Sequence, residues 1–156
     1  MSSPAKSKGG LSKIMVAIDG SEPSMDAVDY ALSMATKQGG CELIVMTVVR
    51  MPVSSYGLMT PESEVRHGKD REEIIAARQL LDKVREQAAN HGIVFKTEVV
   101  DTQLSVEAAI IEYAEEQQVD LIVIGTKGKS GLKKLLLGSV ASAVVTYAGC
   151  PVLVVK

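Results

Sequence analysis

A doubly wound α/β fold is predicted by two features of this 156-residue chain. Short β-rich runs alternate with longer amphipathic stretches, and most of those runs are apolar on both faces. Strands apolar on both sides suit a parallel sheet covered by helices above and below. Parallel neighbours then require right-handed crossovers, which the intervening helices supply.

The elements follow in order. Ile14 to Ile18 is a continuous apolar run ending at Asp19-Gly20, and reads as the first strand. Met25, Val28, Leu32 and Ala35 recur at helical spacing behind it. Ser21 is placed to cap that helix, Pro23 suits its first turn, and Gly39-Gly40 stops it. Leu43 to Val49 is the second strand. From about Glu64 to His91, Ile74, Ala77, Leu81, Val84 and Ala88 form one apolar stripe, with Gly92 as the stop. Val94 to Val100 alternates Phe95, Thr97 and Val99 against Lys96 and Glu98, as an edge strand with one wetter face does. Ser105 is placed to cap a helix carrying Ala109, Ile110 and Tyr113. Leu121 to Ile124 ends at Gly125 as the fourth strand. A last helix starts near Ser139, with Val140, Val144 and Tyr147 expected inward, and Val152 to Val155 closes the chain.

Composition narrows the function. Seventeen basic and nineteen acidic residues leave a net charge of −2, which gives no global drive toward nucleic acid. The aromatic fraction is 3%, too few rings for a base-stacking platform. The longest clean apolar run, Ile14–Ile18, is far short of the roughly 20 residues of a membrane span. Residues 1–10 lack the apolar stretch of a signal peptide and read as a flexible tail or a remnant of cloning. Cys41 and Cys150 form no CxxC motif, and His67 and His91 lie far apart, so neither a disulfide framework nor a zinc cluster is expected. The expected compartment is a reducing cytoplasm. Residues 51–63, with Met51, Tyr56 and Met59, form a long connection that reads either as a lid over a ligand or as a surface excursion.

The densest signal is Gly125-Thr126-Lys127-Gly128-Lys129-Ser130-Gly131, followed by Leu132 to Leu137 and then Gly138-Ser139. Glycines let backbone N–H groups approach an anion. A helix N-terminus adds unpaired donors and the positive end of its dipole. Lys127, Lys129, Lys133 and Lys134 add charge nearby. Phosphate binding suits this pattern, and a plain turn is the alternative. It is not a Walker loop, because the required first glycine falls on Val123. It is not a dinucleotide fingerprint either, since Asp19-Gly20-Ser21 after the first strand does not spell one.

The spacing Gly125-x2-Gly128-x9-Gly138-Ser139 resembles the ATP-binding signature of the universal stress protein family. Ile14 to Ser21 resembles that family's opening strand and acidic turn. Gly138 to Ala141 and Cys150 to Val155 look like its closing helix and strand. The likeness spans about residues 11–156 and leaves the N-terminal tail and the 51–63 connection outside.

The resemblance implies a five-stranded parallel sheet of order 3-2-1-4-5, Rossmann-like and similar to the adenine nucleotide alpha hydrolases. The topological switch point then lies between the first and fourth strands, where ligands of such sheets bind. Ala17, Ile18 and Asp19 are implied to hold adenine and ribose. Asp19 accepts a ribose hydroxyl or helps hold a metal-bound phosphate; as a plain structural residue it makes an Asx turn. Val48 is implied to pack on adenine or simply to fill the core. Ile124 flanks the nucleoside. Gly125, Gly128 and Lys129 meet the ribose or phosphates. Gly138, Ser139 and Val140 bind phosphate through N–H groups, with Ser139 also a possible N-cap. Thr47 stands where members often carry His.

The expected ligand is ATP, with Mg or Mn held through its phosphates, ahead of AMP or a cyclic nucleotide. The expected function is a nucleotide-dependent regulatory switch in stress response and not an enzyme. A slow Mg-dependent ATPase or phosphotransferase, and a dimeric scaffold with a vestigial pocket, are the competing readings. The implied order also sets Cys41 and Cys150 about 14 Å apart across the sheet, beyond disulfide reach. It leaves the apolar Val152–Val155 strand on an edge, where a homodimer would cover it.

Overall fold

The computed structural model describes residues 10–51, 61–126 and 137–156, with the side chains of residues 61–67 outside that description. It holds five strands: β1 (Lys13–Ala17), β2 (Glu42–Arg50), β3 (Val94–Thr102), β4 (Leu121–Gly125) and β5 (Val152–Val155). Four helices alternate with them: α1 (Glu22–Gln38), α2 (Pro61–Ala88), α3 (Val106–Glu116) and α4 (Ser139–Tyr147). The sheet order is β3-β2-β1-β4-β5 and every pairing is parallel. Among the described residues no helix is long and apolar enough to cross a membrane.

The apolar strands explain the two cores. In β1, Ile14 and Val16 face one side and Met15 and Ala17 the other, as the two-residue period dictates. The first set packs with α1 and α2, through residues such as Val28, Leu32, Leu81 and Val84. The second packs with α3 and α4, through Ile110, Ala114, Ala141 and Val144. The helix from residue 61 begins three residues before the sequence reading placed it, at Pro61, where proline suits a first turn. The turn of 3-10 helix Ala89–His91 then ends at Gly92, whose φ of 64° is the left-handed conformation that stops a helix.

Two expectations are corrected. Tyr147 does not point inward: it is 73% exposed, and Ala141 and Val144 supply the buried face of α4. The helical spacing is satisfied by either set, and packing against α3 and the sheet decides which one is covered. The second face of β3 is not wet, because Lys96 and Glu98 are half-buried where α3 packs over them. Burial pushes the Tyr113 hydroxyl above its ordinary pKa, against a smaller opposing pull from the Lys96 charge.

Neither Cys41 nor Cys150 forms a disulfide, as the strand order requires. Cys41 belongs to the α1/α2 core and Cys150 packs against the α3/α4 core, so the sheet itself separates them. At the opposite end of the sheet from the glycine motif, Asp120 ties β1 to the α3–β4 turn. Its carboxylate accepts from the Ser12 backbone N–H at 3.0 Å, the Ser12 hydroxyl at 2.6 Å and the Lys13 N–H at 3.0 Å.

Candidate nucleotide site

The C-terminal ends of β1 and β4 lie side by side, with Ala17 paired to Ile124. Their crossovers leave in opposite directions along the sheet, so a crevice opens between them. A cleft open to solvent occupies this position. Ala17, Ile18 and Asp19 border it from β1, and Ile124, Gly125 and Thr126 from β4. Val48 closes it from β2, and Gly138, Ser139, Val140 and Ala141 from the start of α4.

Of the residues that the sequence pattern singled out, Ala17, Ile18, Asp19, Val48, Ile124, Gly125, Gly138, Ser139 and Val140 all border this one cleft. Gly128 and Lys129 lie outside the described residues, as do Tyr56 and Met59 of the long connection. Met51 is described and half-buried, but it does not line the cleft. Thr47 is buried and also off the lining; strand alternation turns it to the other face from Val48.

Asp19 forms the Asx turn weighed as its structural role. Its Oδ1 accepts from the Ser21 N–H at 2.9 Å. The Ser24 hydroxyl donates to the Ser21 carbonyl at 2.8 Å and lies 3.4 Å from the Asp19 N–H. Ser21 Oγ in turn caps α1, 3.4 Å from the Ser24 N–H. This turn holds the Asp19 carboxylate, the only charged side chain among the described lining residues, at the end of β1.

Gly125 has a packing role that the motif reading did not anticipate. A Cβ there would stand 2.7 Å from the backbone carbon of Pro23 and 2.9 Å from the Ser24 nitrogen. The first turn of α1 thus lies directly on the end of β4, and only glycine permits it. The motif's ends are also joined. The Gly138 N–H donates to the Thr126 carbonyl at 2.7 Å, and the Thr126 N–H donates to the Val155 carbonyl at 3.0 Å. Thr126 and Gly138 are therefore held side by side at the end of the sheet.

Three helix N-termini reach this cleft: α1 through Ser24, α3 through Val106 and α4 through Ser139. Two are self-capped. Ser21 caps α1, and Ser105 caps α3 through a bond from the Ala108 N–H at 3.3 Å. The third differs. Gly138, not Ser139, is the N-cap of α4, and it brings no side-chain cap. Ser139 is instead the first helical residue. The first N–H groups of a helix have no acceptor within it, so those of α4 are turned toward the cleft with the positive end of the dipole behind them. An anion suits that end.

Sequence reasoning missed Ser24, Val106, Ile110, Thr126 and Ala141. Val106 and Ile110 are four apart on α3, so one helix face carries both. That spacing is visible in the sequence, but nothing local says that the face meets the cleft.

The family model that matches the chain is described as the universal stress protein family and spans residues 10–156. Universal stress protein MJ0531 of Methanocaldococcus jannaschii is 40% identical over 146 residues, covering 92% of this chain and 81% of its own length. This chain belongs to the universal stress protein family. Among solved structures, universal stress protein UspA from Lactobacillus plantarum shares the fold, with a TM-score of 0.82 at 24% identity, covering 96% of this chain and 100% of that one. Two others of the same fold carry ligands. One is a universal stress protein in complex with cAMP (TM-score 0.63, 24% identity, 95% and 98% covered). The other is an Arabidopsis thaliana family protein with AMP bound (TM-score 0.61, 17% identity, 93% and 91% covered).

Proposed function

We propose that this chain binds adenine nucleotides in the cleft between β1 and β4, with ATP as its principal ligand. One observation carries the reading. The cleft couples an uncapped helix N-terminus at Gly138-Ser139-Val140 with a carboxylate at Asp19 and an apolar wall. Phosphates suit the first, ribose hydroxyls the second and a base the third. Gly128 and Lys129 extend the phosphate end in sequence. The AMP and cAMP complexes of more distant relatives support the adenine assignment for those proteins, and by likeness for this one.

Mg or Mn enters with the nucleotide. Among the described residues no group of three His, Cys, Asp or Glu stands ready to hold an ion, so the phosphates supply most of its ligands. Asp19 is the carboxylate placed to add one, or to accept from a ribose hydroxyl. Hydrolysis needs a group that orients water toward the terminal phosphate. Asp19 already accepts from Ser21, and the remaining described lining residues offer only hydroxyls and backbone. The protein is read as a nucleotide-dependent regulator, with a slow Mg-dependent ATPase or phosphotransferase as the competing reading. Its β5 edge, apolar along Val152–Val155, is read as the surface that pairs with a second copy.

The test is nucleotide release. Denature the purified protein, identify the released nucleotide by mass spectrometry, and titrate ATP and AMP with Mg into the stripped protein. ATP at near-stoichiometric amounts, with no ADP accumulating over hours, is the expected result. An empty protein with no response to either nucleotide overturns the reading. Light scattering with and without ATP gives the number of copies.

A further inference from the structure

The two edges of the sheet are unlike. β5 has 4 residues, whereas β3 has 9 and pairs with β2 in unbroken register from Val94 to Thr102. Among the described residues no strand pairs with the other side of β3. The Thr102 carbonyl accepts from the Met51 N–H at 2.8 Å, so the backbone groups of Thr102 face β2. That side alternates along a strand, so Phe95, Thr97, Val99 and Asp101 aim their N–H and C=O groups away from the sheet. These are the groups an added strand takes up. The side chains alternate as well. Phe95 and Val99 pack on the α1/α2 core, and Arg85 of α2 donates to the Thr97 hydroxyl. Lys96 and Glu98 lie on the other face, beside Tyr113 of α3. Val94 stays 63% exposed.

We propose that β3 is a self-association surface, pairing antiparallel with β3 of a second copy about a two-fold axis at Thr97. The run Val94-Phe95-Lys96-Thr97-Glu98-Val99-Val100 is symmetric about Thr97 in apolar character and inverted in charge. In the antiparallel register Lys96 therefore faces Glu98 of the second copy, and Glu98 faces its Lys96. Both are pairs without mutual hydrogen bonds, where side chains come closest. Opposite charges directly across strengthen such a pairing, and like charges weaken it. Phe95 meets Val99, the exposed Val94 meets Val100, and Thr97 meets its own copy. The outward-facing residues form the hydrogen-bonded pairs, each exchanging both N–H···O bonds. Charge also fixes the register. The neighbouring two-fold registers set Lys96 against Lys96 or Glu98 against Glu98, and a slip of one residue breaks the pleat. Arg85 sits beside the axis, and its charge is balanced within its own chain by Asp82 at 3.7 Å. A two-fold surface of this kind is self-complementary, as isologous pairing requires. It lies at the opposite end of the sheet from β5. With both edges in use, copies join into assemblies larger than a dimer.

The experiment is analytical ultracentrifugation of the full chain over a range of concentrations, with each variant checked by thermal melting. Thr97→Pro removes an N–H that faces away from β2, so it blocks the outer edge and spares the ladder within the chain. Val154→Pro does the same for β5, since the carbonyls of Pro151 and Val155 face β4 and Val154 alternates with them. The wild type should form assemblies larger than a dimer, and Thr97→Pro should stop at the dimer. Lys96→Glu and Glu98→Lys should each weaken association at β3 by about tenfold, because each sets like charges across the axis twice. The double reversal, Lys96→Glu with Glu98→Lys, should restore it. Where Thr97→Pro melts early, the charge series decides alone. Association that Thr97→Pro and the single reversals leave unchanged overturns the proposal, and so does a double reversal as weak as the singles. Association lost only in Val154→Pro sinks this surface and leaves the β5 reading standing. Association lost only in Thr97→Pro does the reverse. A monomeric wild type overturns both.

Discussion

The N-termini of α3 and α4 border the same cleft but are finished differently. Ser105 closes α3 with its own hydroxyl, while Gly138 leaves the first N–H groups of α4 for whatever enters. The residues next to each cap follow suit: Val106 and Ile110 at one end, Ser139 at the other. A serine cap stabilises a helix by about 1 kcal/mol. Glycine as a cap falls short of that by only a few tenths of a kcal/mol, and at α4 no side-chain oxygen occupies the first N–H groups. Two helix ends with the same backbone dipole thus meet one cleft differently, one with a serine hydroxyl on one of its first N–H groups and one without.

The largest expected effect comes from erasing the difference. Gly138→Asp would give α4 an anionic cap, and the φ of −56° at this position suits a non-glycine residue. Like charges brought together cost several kcal/mol, so ATP affinity should fall by about 100-fold or more. The melting temperature should hold or rise, since Asp is the better cap. Calorimetric titration beside a thermal melt checks both. Unchanged ATP affinity would mean that phosphate does not sit on α4.

Gly125→Ala separates packing from binding. Its added methyl meets backbone atoms of Pro23 and Ser24 that have little freedom to yield. The expected loss is about 1–3 kcal/mol of stability, read as a lower urea midpoint even without nucleotide. A variant as stable as wild type that fails to bind ATP would make Gly125 a ligand contact alone.

Ser105→Ala should cost about 1 kcal/mol by removing the α3 cap. It should barely alter tripolyphosphate binding if the proposed phosphate position at α4 holds. A large loss of tripolyphosphate affinity would contradict that position.

The smallest effect lies in the cores on the two faces of the sheet. Burial raises the pKa of Cys41 on one face and of Tyr113 on the other. Each raised group holds its proton more tightly when folded than when unfolded. Their neutral forms are thus accommodated below the ordinary thiol and phenol values, and stability is lost as pH rises past them. The urea midpoint should decline from about pH 9 upward. Cys41→Ser should remove the thiol part of that decline, and an unaltered slope would exclude it.

Much of this was legible in the residues themselves. The apolar strands dictated a covered parallel sheet, Ser21 and Ser105 marked two helix starts, and Gly92 marked a stop. The glycine spacing located residues that border the cleft, Gly125 and Gly138. Sequence could not rank Tyr147 against Ala141 for the buried face of α4, because helical periodicity admits both. It gave Gly125 a ligand role, since the chain that crowds it, Pro23 and Ser24, comes from a hundred residues earlier. It also left Val106 unmarked, because a valine at a helix start looks the same whether it meets solvent or a cleft. Local chemistry is written in neighbouring residues, so the sequence alone determined elements, caps and motif. Tertiary structure decided what faces what: the parallel order that sets β1 beside β4 brings Asp19, Val106 and Ser139 to one cleft.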